Sequence, residues 1–476
     1  MSATLRAIRD LPRPSPWPLI GNYHQIDTRR LHRTLEGWSE RHGPYFRFRL
    51  GPRQILGVAD PIAIATMLRD RPNGFRRTKL LEAIFQELGI AGVFAANGEA
   101  WRAQRKVVMA AFDTGHLRSY FPFLVRVTER FHRRWQEFAR QGTEFDLQAD
   151  LMRYTVDVVA GLAFGVDINT TESQEETIQT HLNQIFPMLT RRLTAPFPYW
   201  RWLRLPADRR LDRHLAAVSG SVADLIAAAR ERLSARPELR AAPENLLEAL
   251  LVAGESGTAL SDRDIASNVV TMLLAGEDTT ANSLAWLIHL VHQRPQVLEK
   301  LAQEANAVLG SSAFPDRLET ASALNYTAAC IHETMRLKPV APLLILQAIE
   351  ATEIGDVHVP PDTVVAALMR RGSLDEHHFE RAAEFEPERW LARSGDGSVS
   401  TRGERISMPF GAGPRICPGR NLALLEMHMV TAMLFRHFTI ASLRTPHGGP
   451  VEEWLDFTMA PSKLLVRLAP APANRG

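Results

Sequence analysis

The chain has 476 residues, 45% of them hydrophobic and 23% charged, which excludes a disordered or fibrous chain. Fifty-six lysines and arginines stand against 53 acids, a net charge of +3 that gives no reason to expect a nucleic-acid partner. Two cysteines exclude a disulfide scaffold and fit a reducing, cytoplasmic setting.

The first ten residues carry charges and no long apolar stretch, so neither a secretory signal nor a membrane anchor is expected. No charge-free apolar run reaches membrane-spanning length. Pro12, Pro14, Pro16 and Pro18 make a stiff, extended lead-in over residues 1–22, ending at Gly21-Asn22. Short strands are predicted at Tyr45–Leu50 and Gln54–Val58, and later at Ala348–Ile354, Val364–Leu368 and Leu464–Leu468. Most of the remainder has helical periodicity. Length alone allows about three domains, but no linker or repeat divides the chain, and one large, mainly α domain over residues 1–476 is preferred.

Leu80–Phe94 is unusually apolar for a connection. Trp101 and Arg105 stand four apart, an aromatic donor and a cation on one helix side. Phe197–Arg213 mixes Tyr199, Trp200 and Trp202 with five arginines and reads as a solvated entrance region rather than a nucleic-acid patch. Ser261 followed by Asp264 opens a helix that runs to His292, stopped before Pro295. Some thirty residues span roughly 45–50 Å, enough to cross a domain. Within it, Ala275-Gly-Glu-Asp-Thr-Thr280 is unfavourable by helix propensity. Gly276 removes bulk where something approaches, and Thr279 can bond back to a carbonyl and open a bulge. A second helix, about Ala323–Leu337, carries Glu333 and Arg336 on one face. Residues 469–476 read as a tail.

Cys417 lies in Phe410-Gly-Ala-Gly-Pro-Arg-Ile-Cys-Pro-Gly-Arg420, just ahead of an apolar helix from Asn421 to Phe438. Gly411, Gly413 and Gly419 allow tight turning and close approach to a flat ligand. Free N–H groups and the dipole at the helix start favour an anion such as a thiolate. One thiolate in a glycine-rich loop beside arginines is suited to be the fifth ligand of a haem iron.

Phe410, Gly413, Arg415, Cys417 and Gly419 stand at Phe-x-x-Gly-x-Arg-x-Cys-x-Gly spacing. This resembles the signature loop of the cytochrome P450 family, over roughly Pro12–Leu468, in its soluble, bacterial-type form. The resemblance implies a mainly α fold with small β-sheets and haem b bound through Cys417. Phe410, Ala275, Gly276 and Gly419 then border the cofactor, and Trp101, Arg105 and Arg415 meet a propionate. Thr279 holds dioxygen and its proton network, and Asp278 relays protons. Glu333, Arg336 and Arg389 form a buried structural triad, with Trp390 where phenylalanine is commoner. Many members place a basic residue in the strand after the Glu-x-x-Arg helix. Val340–Ile349 has none, which leaves propionate anchoring on that side open.

The resemblance also assigns Phe85, Val93, Phe94, Met272, Val340, Leu343 and Met459 to an apolar substrate pocket. Arg102, Lys106, Arg402, Arg405 and Arg420 fall on the face where an acidic ferredoxin or flavodoxin docks. No flavin or nicotinamide domain is visible, so electrons come from such a partner and its reductase. The implied reaction is hydroxylation or epoxidation of a hydrophobic small molecule by a monomeric enzyme. Two rivals are a peroxide-driven enzyme of the same fold, against which the acid–threonine pair argues, and a haem-thiolate gas sensor without turnover, for which no regulatory segment is seen.

Overall fold

Helices supply most of the interior, and small sheets close two of its sides. A computed structural model describes residues 5–173, 178–182, 184–255, 260–391 and 401–472. Its backbone is a helix Asp262–His292 that crosses the molecule with most of its residues buried. Ser261 fixes the start: its hydroxyl accepts the Asp264 N–H at 3.2 Å, and Asp264 accepts the Ser261 N–H at 2.9 Å. Against this central helix packs Leu147–Phe164, apolar on nearly every face because it too is interior. Helices Asn325–Leu337 and Arg420–His437 complete the core around it.

The largest sheet has five strands in the order Tyr45–Leu50, Arg53–Val58, Val364–Leu368, Leu343–Ala348 and Phe75–Arg77. Its third strand runs parallel to the second, Ile55 opposite Val364, and the others pair antiparallel. The strand expected over Ala348–Ile354 is divided. Leu343–Ala348 belongs to this sheet, and Thr352–Ile354 turns away to pair with Val357–Val359.

Four other expectations change. The lead-in is not merely extended: Arg6–Ala7 pairs in parallel with Val357–His358, and Ile8 and Leu11 bury their side chains in the sheet's core. The tail begins later, because Ala469 and Pro470 still belong to a strand, Leu465–Pro470, that pairs with Phe438–Arg444. The apolar run after Leu80 is a helix, Lys79–Glu87, whose start is capped by the Thr78 hydroxyl on the Leu81 N–H. Trp200, expected at a solvated entrance, is buried and donates to Glu87 at 2.9 Å, while Phe197 and Trp202 are exposed. Among the described residues no helix is long and apolar enough to cross a membrane.

Candidate active site

The Cys417 loop is built by its glycines. Gly411 and Gly413 take φ of +74° and +70°, where a side chain is strained. A Cβ on Gly413 would lie 2.5 Å from Leu68 O, so the loop seats directly on the helix Pro61–Arg69. The Cys417 N–H donates to Phe410 O at 3.0 Å and closes the turn. Gly419 differs: its φ is −80°, and a Cβ there would meet only the Cys417 sulfur, at 3.9 Å. What Gly419 provides is therefore open space beside the sulfur rather than a tight turn. Cys417 lies deep within the molecule, yet its side chain is exposed, because the surface it shows belongs to an internal cavity. Burial pushes its thiol up, against the pull of the Gly419 N–H and the Arg105 charge.

That cavity measures about 770 Å³ and extends from Cys417 past the central helix to Tyr23, Leu31 and Arg53. Ala275 is exposed to it. Thr279 also faces it and donates to Ala275 O at 2.9 Å. The back-bond forms without the expected bulge, and the α-helix runs unbroken from Asp262 to His292. Gly276 borders the cavity too, but its lack of a side chain serves packing: a Cβ would lie 2.2 Å from Val159 on the neighbouring helix. Asp278 accepts from Asn282 and from the hydroxyl of Thr458. Burial and the nearby Asp456 push its carboxyl up, partly offset by these two donors. No hydrogen bond joins Asp278 to Thr279 among the described residues. Two further carboxyls are buried here, Glu277 and Glu426, each with an oxygen that has no partner. Burial pushes Glu426 up to about 8, against a hydrogen bond from Thr280.

Around one edge of the cavity gather four guanidiniums. Arg415 stacks over Trp101 at 4.5 Å and donates to Ala96 O at 2.7 Å. Arg105 donates to Ile416 O. Arg77 stacks over Phe94 at 4.0 Å. Arg71 is buried, and its Nε and Nη2 find no partner, as is true of Arg415 Nε. Burial and mutual repulsion push Arg71 down to about 8, and Arg77 and Arg415 down to about 9. Glu82, which eases the repulsion on Arg415, is itself paired with Arg76. The strand Leu343–Ala348 offers no cation, and its Gln347 is engaged by the Lys79 N–H and by Asp362. Arg71 and Arg77, from the loop after the helix Pro61–Arg69 and from an edge strand, bring the charge instead. Nothing in the sequence sets these two apart from the other arginines; only the fold shows that they converge beside Arg105 and Arg415.

Glu333 and Arg336 are fully buried and paired at 2.8 Å through both carboxylate oxygens, and Arg389 adds a third contact at 3.0 Å. Trp390 is more than a substitute ring: its Nε1 donates to Glu333 at 2.8 Å. The Glu386 N–H adds another donor at 2.8 Å. Arg336 in turn donates to Ser373 O, Ala382 O and Glu384 O, tying the helix Asn325–Leu337 to the chain beneath it.

Phe85, Val93, Phe94, Met272, Val340 and Leu343 border the cavity. Met459 does not. It begins the strand Met459–Pro461, is fully buried, and turns its sulfur toward Arg370 at 3.6 Å. The wall at this point is the loop before it, Asp456–Thr458, whose Phe457 stacks on Phe186 at 5.1 Å. Of the basic residues expected on the docking face, Arg102, Lys106, Arg405 and Arg420 are exposed, and Arg102 is paired with Glu99; the side chain of Arg402 lies outside the described residues.

The profile of the family described as cytochrome P450 matches residues 11–468. The chain belongs to the cytochrome P450 family. Among its curated relatives is "Protein LUTEIN DEFICIENT 5, chloroplastic" of Arabidopsis thaliana, 26% identical, with 86% of this chain and 69% of that protein aligned. "Carotene epsilon-monooxygenase, chloroplastic" of the same plant is 28% identical, over 85% of this chain and 76% of that one. "3,9-dihydroxypterocarpan 6A-monooxygenase" of Glycine max is 26% identical, over 90% and 86%. This cytochrome P450 is a haem-thiolate monooxygenase that uses haem iron. The bacterial-type expectation is not supported: these relatives and others such as a fowl cytochrome P450 come from plants and animals, and names marked chloroplastic run against a cytoplasmic assignment.

The residues fit haem. A sulfur faces the cavity, Gly419 leaves space beside it, and buried guanidiniums with orphaned N–H groups await two carboxylates that the protein does not supply.

Proposed function

We propose that this cytochrome P450 binds haem b through Cys417 and oxygenates a hydrophobic small molecule. Bound haem supplies dioxygen activation and the insertion of one oxygen atom into substrate. Arg71, Arg77, Arg105 and Arg415 hold the propionates, with Trp101 backing Arg415. Phe85, Phe94, Phe457, Met272 and Leu343 orient the substrate and exclude water. Thr279 keeps a hydroxyl at the reacting end of the cavity, and Asp278 holds the proton it passes on. The observation that carries the reading is the single cavity of about 770 Å³ that joins the Cys417 sulfur, Thr279 and an apolar wall. That space holds the haem and the substrate together, because Cys417 and the four arginines border it along with the apolar wall. Relatives named for a carotene and for a dihydroxypterocarpan agree with an apolar substrate. Electrons arrive from a separate ferredoxin or flavodoxin at the face bearing Lys106, Arg405 and Arg420.

The test is oxygen uptake and product formation with a ferredoxin and its reductase, on lipophilic compounds chosen by their shift of the iron's spin state. Product formation from dioxygen is expected, and Thr279→Ala should consume electrons without proportional product. Turnover with hydrogen peroxide but none with the ferredoxin and its reductase would overturn the dioxygen assignment, and unchanged coupling in Thr279→Ala would remove that residue from the mechanism.

A further inference from the structure

Strands Glu453–Leu455 and Met459–Pro461 form a hairpin whose tip carries two adjacent side chains with different attachments. Phe457 reaches into the cavity, its ring 6.2, 5.8 and 5.1 Å from those of Phe85, Phe94 and Phe186. Thr458 bonds to Asp278 on the central helix, and Asn282, one turn further on, takes the acid's other oxygen.

The base of the hairpin is fixed. The Met459 N–H donates to Val340 O at 2.7 Å, and Trp286 Nε1 donates to Met459 O at 3.3 Å. Glu453 is gripped by Arg370, Lys338 and the buried His32. The tip is outside the strand pairing and is the part that borders the cavity. Any ligand filling the apolar wall packs against Phe457. Its ring and the Thr458 hydroxyl hang from adjacent residues of one short loop, so a ligand that pushes the loop back through the ring, rather than only turning the ring, shifts the hydroxyl. Hydrogen bonds weaken steeply past about 3.2 Å or below about 120°, so a shift of under about an ångström is enough to loosen the acid.

We propose that Thr458 is a positioning residue for oxygen activation: its hydroxyl sets the orientation of the Asp278 carboxyl, and Phe457 transmits the filling of the apolar cavity to that bond. This rests on the assignment of Asp278 and Thr279 to proton delivery made above. Asp456 on the tip and Glu277 on the helix are the titratable groups whose charges bear on the acid.

The experiment uses the full-length, haem-loaded enzyme and follows the infrared titration of the Asp278 carboxyl, identified by its loss in Asp278→Asn. Thr458→Val removes a donor to the carboxylate and should raise the midpoint by about 0.7 pH units, a fivefold change and the equivalent of one net hydrogen bond. Thr458→Ser should restore it. Phe457→Ala, which leaves both side-chain donors to Asp278 in the sequence, should move the midpoint in the parent protein but not in Thr458→Val. Product per electron should fall about fivefold in Thr458→Val. An unchanged midpoint in Thr458→Val, or equal effects of Phe457→Ala in both backgrounds, overturns the proposal. If Asp278→Asn and Thr279→Ala uncouple the enzyme while Thr458→Val does not, Thr458 alone loses its role. If neither of the first two uncouples it, the proton-delivery assignment falls.

Discussion

Replacing Trp390 by phenylalanine removes one N–H from the Glu333 carboxylate and keeps an aromatic ring in place. The lost bond is 2.8 Å long, buried, and made to a carboxylate that also serves Arg336 and Arg389. A hydrogen bond to a charged group contributes about 1.5–3 kcal/mol. The smaller ring also gives up packing against His332, now stacked at 5.3 Å, for about 1 kcal/mol more. The sum, about 2.5–4 kcal/mol, is a large share of a total stability of about 5–15 kcal/mol. Equilibrium urea unfolding of parent and variant, with and without haem, measures it directly. The substitution restores the residue commoner at this position in the family, so a stability rule drawn from family frequency expects the opposite sign. A loss below about 0.5 kcal/mol would refute the argument, showing that water or the remaining donors satisfy Glu333 equally well.

Cys417→Ser should abolish the thiolate-type carbon monoxide spectrum while changing the haem-free unfolding free energy by less than about 1 kcal/mol, since the sulfur faces open space. Arg71→Met should weaken hemin binding about 10- to 150-fold, one charge-assisted contact, and at the same time stabilise the haem-free protein by relieving repulsion; fluorescence titration with hemin and a melting curve read the two effects, and unchanged hemin affinity counts against the propionate role. Glu426 bears on pH dependence. Its carboxyl is raised from an ordinary 4.5 to about 8, so across that window the unfolded chain has released a proton that the folded one keeps. Stability should therefore fall as pH rises from 4.5 toward 8, by at most about 1.4 kcal/mol per pH unit. Glu426→Gln should remove that slope, and parallel stability curves for the two proteins would contradict it.

What was legible in the sequence was what is local. Ser261 and Asp264 announce the central helix because a capping box spans four residues, and the Cys417 loop is recognisable because its turns depend on glycines close together in the chain. Tyr45–Leu50 alternates enough to read as a strand. The contacts that escaped join distant segments. Thr458 meets Asp278 across 180 positions, and Trp390 meets Glu333 across 57. Arg71 and Arg77 look like any of the 56 lysines and arginines until the fold shows them gathered at one edge of the cavity. Met459 lies one residue past the cavity wall, at the point where strand alternation turns the side chain from the cavity to Arg370. Gly276 signals a point of close approach in the sequence, and the fold identifies the approaching partner as Val159.

The gathering of Arg71, Arg77, Arg105 and Arg415 has a consequence for biogenesis. A freshly made polypeptide that reaches this shape alone confines like charges together with only Glu82, already paired with Arg76, to ease them. Ligands that bind only the native form draw the equilibrium toward it, and partly unfolded chains are removed by proteolysis. The amount of this protein that a cell accumulates should thus follow its tetrapyrrole supply more closely than its messenger level.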